Sequence, residues 1–300
     1  MKTAILAILA LILSTNQIDA QLKPLEVLNP KVQQGDTIVV RINPQWQGSM
    51  ICVSALNQQY MPNKNGYAFV GVGVDVKPSK YTVFRIECGR GFQLDSNLEY
   101  FQVLIKNFKK TRTARRGRSM GLRKGPESIL LNKAFELSNR LAVDMTDGTK
   151  YIYPVDSLDL DPYATLTHPF GHIYRNNRKL FHSGSDFKMD IGTPVKAVND
   201  GRVVLTAFNF RSEGNMVIIN HGLGIFSVYM HLSRIDVGEG NMVKIGNQIG
   251  LSGDSGTAKG NPHLHYNMMA IDLYSNNNYR YLGYVDPLIF INTVNPYLAR

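Results

Sequence analysis

The chain has 300 residues, of which 44% are hydrophobic and 19% are charged. This length exceeds what one core usually requires and predicts two domains, and the composition excludes a disordered protein. The formal net charge of +10 suits an anionic partner, such as nucleic acid, a membrane surface or an acidic wall polymer, without choosing among them.

The first segment, residues 1–20, has the pattern of a secretory signal peptide. Lys2 supplies a positive charge, an apolar run occupies 4–13, and the small Ala20 suits the last position before a cleavage site. The run is shorter than the roughly 20 residues that span a bilayer. We therefore expect an exported protein of the periplasm or cell envelope, with no transmembrane span after signal removal and no nucleic-acid partner. An uncleaved N-terminal anchor is the alternative.

Residues 21–105 are predicted to form a small β-sandwich. Several short segments are rich in β-branched and aromatic residues, and turns divide them. Asn65-Gly66 is a tight-turn signal immediately before one of these segments. The predicted strands cover 37–42, 50–56, 67–76, 81–88 and 100–105.

Cys52 and Cys88 are the only two cysteines of the chain, and both fall within the predicted sandwich. Outside the cytoplasm such a pair is expected to form a disulfide. On the chain-entropy account, closing a loop of this length stabilises the fold by roughly 4 kcal/mol. The spacing excludes a CxxC redox or zinc site, and free thiols are the alternative.

Residues 106–150 are predicted to be a basic linker followed by a connecting helix. Nine Lys or Arg residues lie within 106–124, and so dense a run repels itself into an extended form. The run suits contact with anionic wall or outer-membrane material; a solvated hinge or a processing site for proteases is the alternative. Apolar residues at helical spacing over 128–145 predict the helix.

Residues 151–300 are predicted to form a second, mostly antiparallel β domain, so the expected fold class is mainly β throughout. From about residue 165, short β-rich segments alternate with turns rich in Gly, Asn and Asp. Six of the seven histidines lie beyond residue 170. The sandwich has none, so the chemistry is expected in this second half.

The first candidate metal-binding motif is HSGSDF at 182–187. Zinc accepts histidine nitrogen and carboxylate oxygen in a roughly tetrahedral arrangement. On an extended strand His182 and Asp186 would stand about 13 Å apart, so a shared ion requires the segment to curl. Gly184 makes such a curl easy.

The second candidate motif is HLH at 263–265. On a strand, His263 and His265 face the same side, with Leu264 pointing into the core. A site that used both histidines together with the HSGSD pair would have four protein ligands and be structural. A site that used three would leave a position for water, and the spare histidine would act as a general base or stabilise an oxyanion. Spacing alone leaves both open.

A family resemblance adds to these motifs. The blocks HSGSDFKMDIGTPVKAVNDGRVV, MVIINHGLGIFSVYMHLS, KIGNQIGLSGDSG and PHLH follow one another in that order. Together they resemble the lysostaphin-type (LytM-like) zinc endopeptidases, which cut peptidoglycan cross-bridges. The similarity runs from residue 169 to residue 288. The amino-terminal half is similar, more loosely, to exported members that carry an immunoglobulin-like β domain before the peptidase.

The resemblance implies one zinc ion held by His182, Asp186 and His265, and a catalytic pair formed by His231 and His263. It implies that the substrate is a peptide cross-link of bacterial peptidoglycan, whose carbonyl is attacked by metal-activated water. A non-catalytic LytM-like protein, which binds the wall and regulates another wall hydrolase, is the alternative.

Three other histidines and one tyrosine near these motifs are not assigned to metal binding or to proton transfer. His221 is predicted to be structural, and His168 and His172 are predicted to line a loop near the cleft, because the proline and glycine between them exclude a helix. Tyr229 alternates with His231 along one strand, and faces either the cleft or the core.

Two departures from the family pattern lie beside the proposed site. Asn261 stands between Gly260 and Pro262, where the family runs a glycine directly into PHLH, and is expected to alter substrate fit or the position of the next histidine. Asn267 stands where an acid is common. Residues 273–283 are predicted to be a loop insertion.

Overall fold

The structure is a computed structural model, and it describes residues 23–48, 50–94, 98–111, 127, 129–131, 133–134, 144–174, 181–272 and 283–299. The predicted signal peptide, most of the basic linker and most of the predicted insertion lie outside these residues. Helical backbone occurs at 127, 129–131 and 133–134, at the start of the predicted connecting helix. Within the described parts of the chain, no helix is long and apolar enough to cross a membrane.

The amino-terminal part is a sandwich of two small β-sheets. Its strands are β1 Leu25–Val27, β2 Lys31–Gln33, β3 Thr37–Ile42, β4 Ile51–Ala55, β5 Gln58–Tyr60, β6 Tyr67–Gly71, β7 Lys80–Glu87 and β8 Glu99–Leu104. One sheet has the order β1-β3-β6 and the other β2-β8-β7-β4-β5. Inward side chains from both sheets, among them Ile38, Val53 and Phe101, form one buried core.

The two cysteines form a disulfide, as predicted. Cys52 and Cys88 are joined with 5.1 Å between their Cα atoms. They pack with Ile86 in a small cluster separate from the sandwich core. The bond therefore ties β4 to the end of β7.

The second half is built on an eight-stranded sheet whose pairings are all antiparallel. The remaining strands are β9 Lys110–Thr111, β10 Leu166–His168, β11 Ile173–Tyr174, β12 Ser185–Lys188, β13 Pro194–Lys196, β14 Gly201–Phe210, β15 Gly214–Asn220, β16 Ile225–Leu232, β17 Arg234–Ile235, β18 Met242–Val243, β19 Gln248–Leu251, β20 His263–Ala270 and β21 Tyr284–Val285. The sheet order is β10-β12-β20-β16-β15-β14-β18, with β21 on β20, while β13-β19-β17 form a smaller sheet and β9 pairs with β11 in parallel.

Besides the helical residues within 127–134, one α-helix and several short 3-10 turns complete the described elements. The helix α1, Pro287–Val294, begins after Asp286, whose carboxylate accepts from the N–H groups of Leu288 and Ile289. The 3-10 turns are Pro44–Trp46, Asp156–Leu158, Gly256–Ala258 and Asn295–Tyr297.

The central strands β16 and β20 are buried at every position, because both faces of the large sheet are covered. On one face Tyr229 and Leu264 pack in a large cluster, and on the other Met230 and Met269 pack in a second one. Of the polar residues on these two strands, Ser227 and Asn267 are fully buried, whereas the three histidines keep a small exposed fraction of 7–9%. These histidines are at 231, 263 and 265.

The amino-terminal sandwich shares these clusters with the second half. Val39 and Phe69 from β3 and β6 belong to the same buried cluster as Tyr151 and Phe290. The rings of Phe69 and Phe290 meet edge to face, with their centroids 6.4 Å apart. On the other face of the large sheet, Val74 belongs to the second cluster.

Candidate metal centre

The structure brings together the three residues predicted as metal ligands. His182, Asp186 and His265 offer ligand atoms that all lie within 4.8 Å of one another. Asp186 Oδ1 is 3.0 Å from His182 Nε2 and 2.7 Å from His265 Nδ1, and the two nitrogens are 3.0 Å apart. Ligand atoms around a tetrahedral zinc ion lie about 3–3.5 Å apart, since each bond is about 2.0–2.2 Å. The three side chains therefore fit one zinc ion after a small outward shift.

The HSGSD segment curls at its glycine, as a shared ion requires. A Cβ on Gly184 would lie 1.9 Å from Asn267 Oδ1 and 2.4 Å from Tyr266 O, so the bend presses directly against β20. Strand β12 starts one residue later and pairs with β20 so that Asp186 stands opposite His265. A larger residue at the bend would push the two strands, and with them two of the ligand candidates, apart.

Hydrogen bonds and burial set which atom each ligand candidate presents. His182 Nδ1 donates to Pro169 O at 3.1 Å, which leaves Nε2 for an ion. His265 turns Nδ1 toward the carboxylate, and its Nε2 is buried without a hydrogen-bond partner among the described residues. Burial opposes the charge of Asp186, but the two histidines beside it lower the pKa of its carboxyl well below the usual range. The donor set is thus two imidazoles and one carboxylate.

Two more histidines border this cluster. The ring centroids of His231 and His263 are 4.7 Å apart, and that of His231 is 6.0 Å from His265. His231 Nδ1 donates to Ser255 O at 2.9 Å, and His263 Nδ1 donates to Asn261 O at 2.7 Å. Each ring therefore presents Nε2 with its lone pair. Burial, with His265 and His263 nearby, lowers the pKa of His231 to about 3, so this ring is neutral at ordinary pH.

His231 reaches the cluster because β16 contains a β-bulge. Its φ is 64°, and the register against β15 leaves one extra residue between Tyr229 and Leu232. Strict alternation would put His231 on the same face as Tyr229. Instead Tyr229 lies in the core, where its hydroxyl accepts from Val198 N–H at 3.1 Å, and His231 lies beside His263. Of the two positions considered for Tyr229, the structure shows the core.

His221 serves the core in the neutral form. Its Nδ1 donates to Asp200 O at 2.7 Å and its Nε2 accepts from Ser227 Oγ at 2.8 Å. Burial lowers the pKa of His221 to about 4. These contacts agree with the structural role expected of it.

The histidines of the HPFGH loop occupy different environments. His168 Nδ1 lies 3.5 Å from Asp186 Oδ2, and its side chain is 25% exposed. His172 is buried, and its ring stacks on those of His168 and Tyr174. The side chain of His168 therefore borders the metal-ligand cluster, whereas His172 reaches it through its backbone carbonyl, which accepts from His182 N–H at 2.8 Å.

Two backbone carbonyls that orient the catalytic candidates were not predicted, although Asn261 was expected to affect substrate fit or the position of the histidine after it. The inserted Asn261 supplies the carbonyl that orients His263, and the backbone of Ser255 does the same for His231. Ser255 is further fixed because its hydroxyl donates to Leu232 O at 2.9 Å. Ser255 lies in the block KIGNQIGLSGDSG, and its place in the family resemblance was its only signal in the sequence.

Comparison with known proteins identifies the second half. Residues 180–279 match the family described as peptidase family M23. Peptidoglycan DD-endopeptidase ShyA of Vibrio cholerae is 43% identical over 122 residues, which is 39% of this chain and 26% of that protein. Lysostaphin of Staphylococcus simulans is 37% identical over 113 residues, which is 37% of this chain and 22% of that protein. The chain contains a peptidase M23 domain.

The M23 domain carries the candidate metal cluster and the two histidines beside it, since all of them lie within the matched residues. The match spans about a quarter of the length of these curated relatives. A crystal structure from Pseudomonas aeruginosa, assigned to peptidase M23, covers 90% of this chain and 95% of its own at a TM-score of 0.56 and 25% sequence identity. The similarity of fold therefore extends from the M23 domain into the amino-terminal sandwich.

Proposed function

We propose that the protein is a zinc-dependent endopeptidase that hydrolyses peptide cross-links of bacterial peptidoglycan. The observation that carries the proposal is the convergence of His182, Asp186 and His265 at ligand distances inside an M23 domain. Relatives named peptidoglycan DD-endopeptidase and lysostaphin support the substrate class. One zinc ion held by these residues would polarise a peptide carbonyl and lower the pKa of a bound water.

His231 and His263 are the residues proposed to handle protons and charge. Both hold a proton on Nδ1, through their bonds to backbone carbonyls, and present Nε2 beside the metal ligands. One Nε2 accepts the proton of the attacking water and passes it to the leaving amine. The other ring would stabilise the negative charge that develops on the carbonyl oxygen once its Nε2 is protonated as well, so that it can donate to that oxygen.

The proposed organisation places a signal peptide at 1–20, the sandwich at 21–105, the linker and helix at 106–150 and the peptidase at 151–300. Export to the periplasm or cell envelope would expose the peptidase to its substrate. The disulfide in the sandwich supports an oxidising compartment. We assign the basic linker to contact with anionic wall or outer-membrane material.

The test is digestion of purified peptidoglycan by the full-length protein, with and without a chelator, followed by mass analysis of the fragments. We expect fragments with new amino termini, lost with the chelator and restored by zinc, and their masses identify the bond. An intact sacculus after treatment with zinc-loaded protein would instead favour the wall-binding regulator of another hydrolase.

A further inference from the structure

We propose that His168 is a positioning residue for Asp186: its Nδ1–H donates to Asp186 Oδ2 and so leaves Oδ1 to face the metal. The inference rests on the proposed zinc site. It adds a residue that lies before the M23 match, which starts at residue 180.

The strand pairing places the two side chains face to face. Strand β10 runs antiparallel to β12 with His168 opposite Asp186. His168 Nδ1 is 3.5 Å from Asp186 Oδ2, whereas Asp186 Oδ1 is 3.0 Å from His182 Nε2. Oδ1 is also 2.7 Å from His265 Nδ1. Oδ1 also lies 3.8 Å from His263 Nε2. The two carboxylate oxygens therefore have separate neighbours: Oδ1 faces the two histidine ligands and His263, and Oδ2 faces His168.

The geometry gives His168 a role outside the ligand set. Among the described residues, the close group of ligand atoms consists of His182, Asp186 and His265, without His168. The Asp186 side chain is only 12% exposed, so little water competes for Oδ2. A carboxylate held at one oxygen has a fixed orientation and binds metal through the other, and loss of such a partner typically weakens metal affinity about 10–100-fold.

The residues on either side of His168 in the chain support the same ligands. Thr167 Oγ1 donates to Asp186 O at 3.2 Å, and Pro169 O accepts from His182 Nδ1 at 3.1 Å. Three successive residues thus contact two of the three proposed ligands. A metal site needs its ligands held within about 0.5 Å of the productive geometry, and this short segment is placed to do that.

The test measures zinc affinity, using full-length protein and competition with a chromophoric chelator. His168→Ala is expected to weaken zinc binding by about 10–100-fold, with faster transfer of zinc to the chelator. His168→Asn retains a side-chain N–H near the position of Nδ1, and is expected to recover most of that affinity.

His172→Phe is the matched control, because it replaces a ring in the same stack and keeps its aromatic shape. The His172 ring lies 5.9 Å from that of His168, and its nitrogens have no hydrogen-bond partner among the described residues. Zinc affinity should not change in this variant. Thermal unfolding of the metal-free proteins shows whether each variant is folded. If His168→Ala does not fold, the zinc affinity of His168→Asn, compared with that of the wild type, is the test.

Unchanged zinc affinity in His168→Ala would overturn the inference. An equal loss in His168→Ala and His168→Asn would also overturn it, because the ring rather than the donor would then matter. Tight zinc binding by a wild-type protein that leaves peptidoglycan intact would defeat the proposed function and leave the role of His168 standing. A wild-type protein without zinc affinity would defeat both.

Discussion

Among single residues, the proposed chemistry depends on which ring nitrogen each histidine presents. His182 presents Nε2 to Asp186 Oδ1, because its Nδ1–H donates to the carbonyl oxygen of Pro169. His265 presents Nδ1 to the same oxygen of Asp186. His231 and His263 both present Nε2. For His182 and His231 the choice is set by a backbone carbonyl far along the chain, and for His263 it is set by the carbonyl of the extra residue Asn261. His265 is oriented by the Asp186 carboxylate itself. Motif spacing pointed to the HSGSD and HLH side chains, and the family resemblance added His231 and the division of roles. Neither reveals the carbonyls.

Removal of a proposed ligand and removal of a proposed proton carrier should have different effects. His182→Ala takes away one of three ligands, so zinc content and hydrolysis are expected to fall together. His231→Ala keeps all three ligands, so zinc content should stay while turnover falls by about 10²–10⁴-fold. Metal analysis and peptidoglycan digestion on the same preparations check this. Loss of zinc from His231→Ala would contradict the assigned roles.

His221 should make the free energy of unfolding depend on pH. Burial lowers its pKa from 6.5 to about 4 in the folded state. The unfolded chain therefore binds a proton more readily, so the contribution of His221 is complete above pH 6.5 and is lost as the pH falls toward 4. The shift corresponds to about 3 kcal/mol.

The measurement is denaturant unfolding of the wild type and of His221→Gln at pH 7.5 and at pH 4. Glutamine does not titrate, so the wild type should lose about 3 kcal/mol more than the variant between the two values. Equal losses in the two proteins would show that the folded ring is not held neutral.

Among the secondary-structure elements, the hydrophobic pattern located the strands and missed their irregularities. The predicted strand 37–42 coincides with β3, but the predicted strand 67–76 ends at Gly71. Its apolar pattern continues because Val74 packs against the second half of the protein, a contact that local sequence does not reveal.

Irregular backbone positions escaped prediction for a similar reason. Leu56 and Asn57 form the turn between β4 and β5 with φ of 54° and 59°, although leucine is not a turn-forming residue. The bulge at His231 was hidden because both faces of β16 are buried, so the strand has no alternation of polar and apolar residues whose interruption would reveal an extra position. In both cases tertiary packing overrides the local preference.

Gly184 gives a test of the bend that joins two proposed ligands. Gly184→Ala would place its Cβ against backbone Tyr266 O at 2.4 Å, which β20 cannot relieve by moving a side chain. We expect the free energy of unfolding to fall by about 1–3 kcal/mol, with weaker zinc binding. Gly238→Ala is the control, since its nearest neighbour is 3.8 Å away. Equal effects of the two substitutions would show that the bend at Gly184 accommodates a Cβ atom without displacing β20.

In the whole molecule, the amino-terminal sandwich and the M23 domain are joined by a buried interface. Besides the shared clusters, Lys106 Nζ lies 3.9 Å from Asp36 Oδ1 and 3.7 Å from Asp286 Oδ2, and Gly35 O accepts from Asp286 N–H at 2.8 Å. Burial raises the pKa of both Asp36 and Asp286. These contacts pack the sandwich directly against the second half, whereas a targeting module on a flexible tether would lack a buried interface with it.

The shared core predicts that the two parts unfold as one unit. Phe69 is 6% exposed and packs against the M23 side of the interface, so Phe69→Ala should lower the free energy of unfolding by about 3–5 kcal/mol. Phe92→Ala, in the same sandwich, is the control, because Phe92 is 67% exposed and its replacement should cost little.

Two probes distinguish shared from independent unfolding in denaturant. Trp46 is the only tryptophan of the chain and lies in the sandwich, so its fluorescence reports that part, while release of bound zinc reports the M23 domain. If the core is shared, the two transitions coincide in the wild type, and Phe69→Ala moves both to lower denaturant concentration. If the sandwich is a separate module, Phe69→Ala shifts the Trp46 transition alone and zinc release stays where it was, because nothing in the M23 domain would depend on that ring.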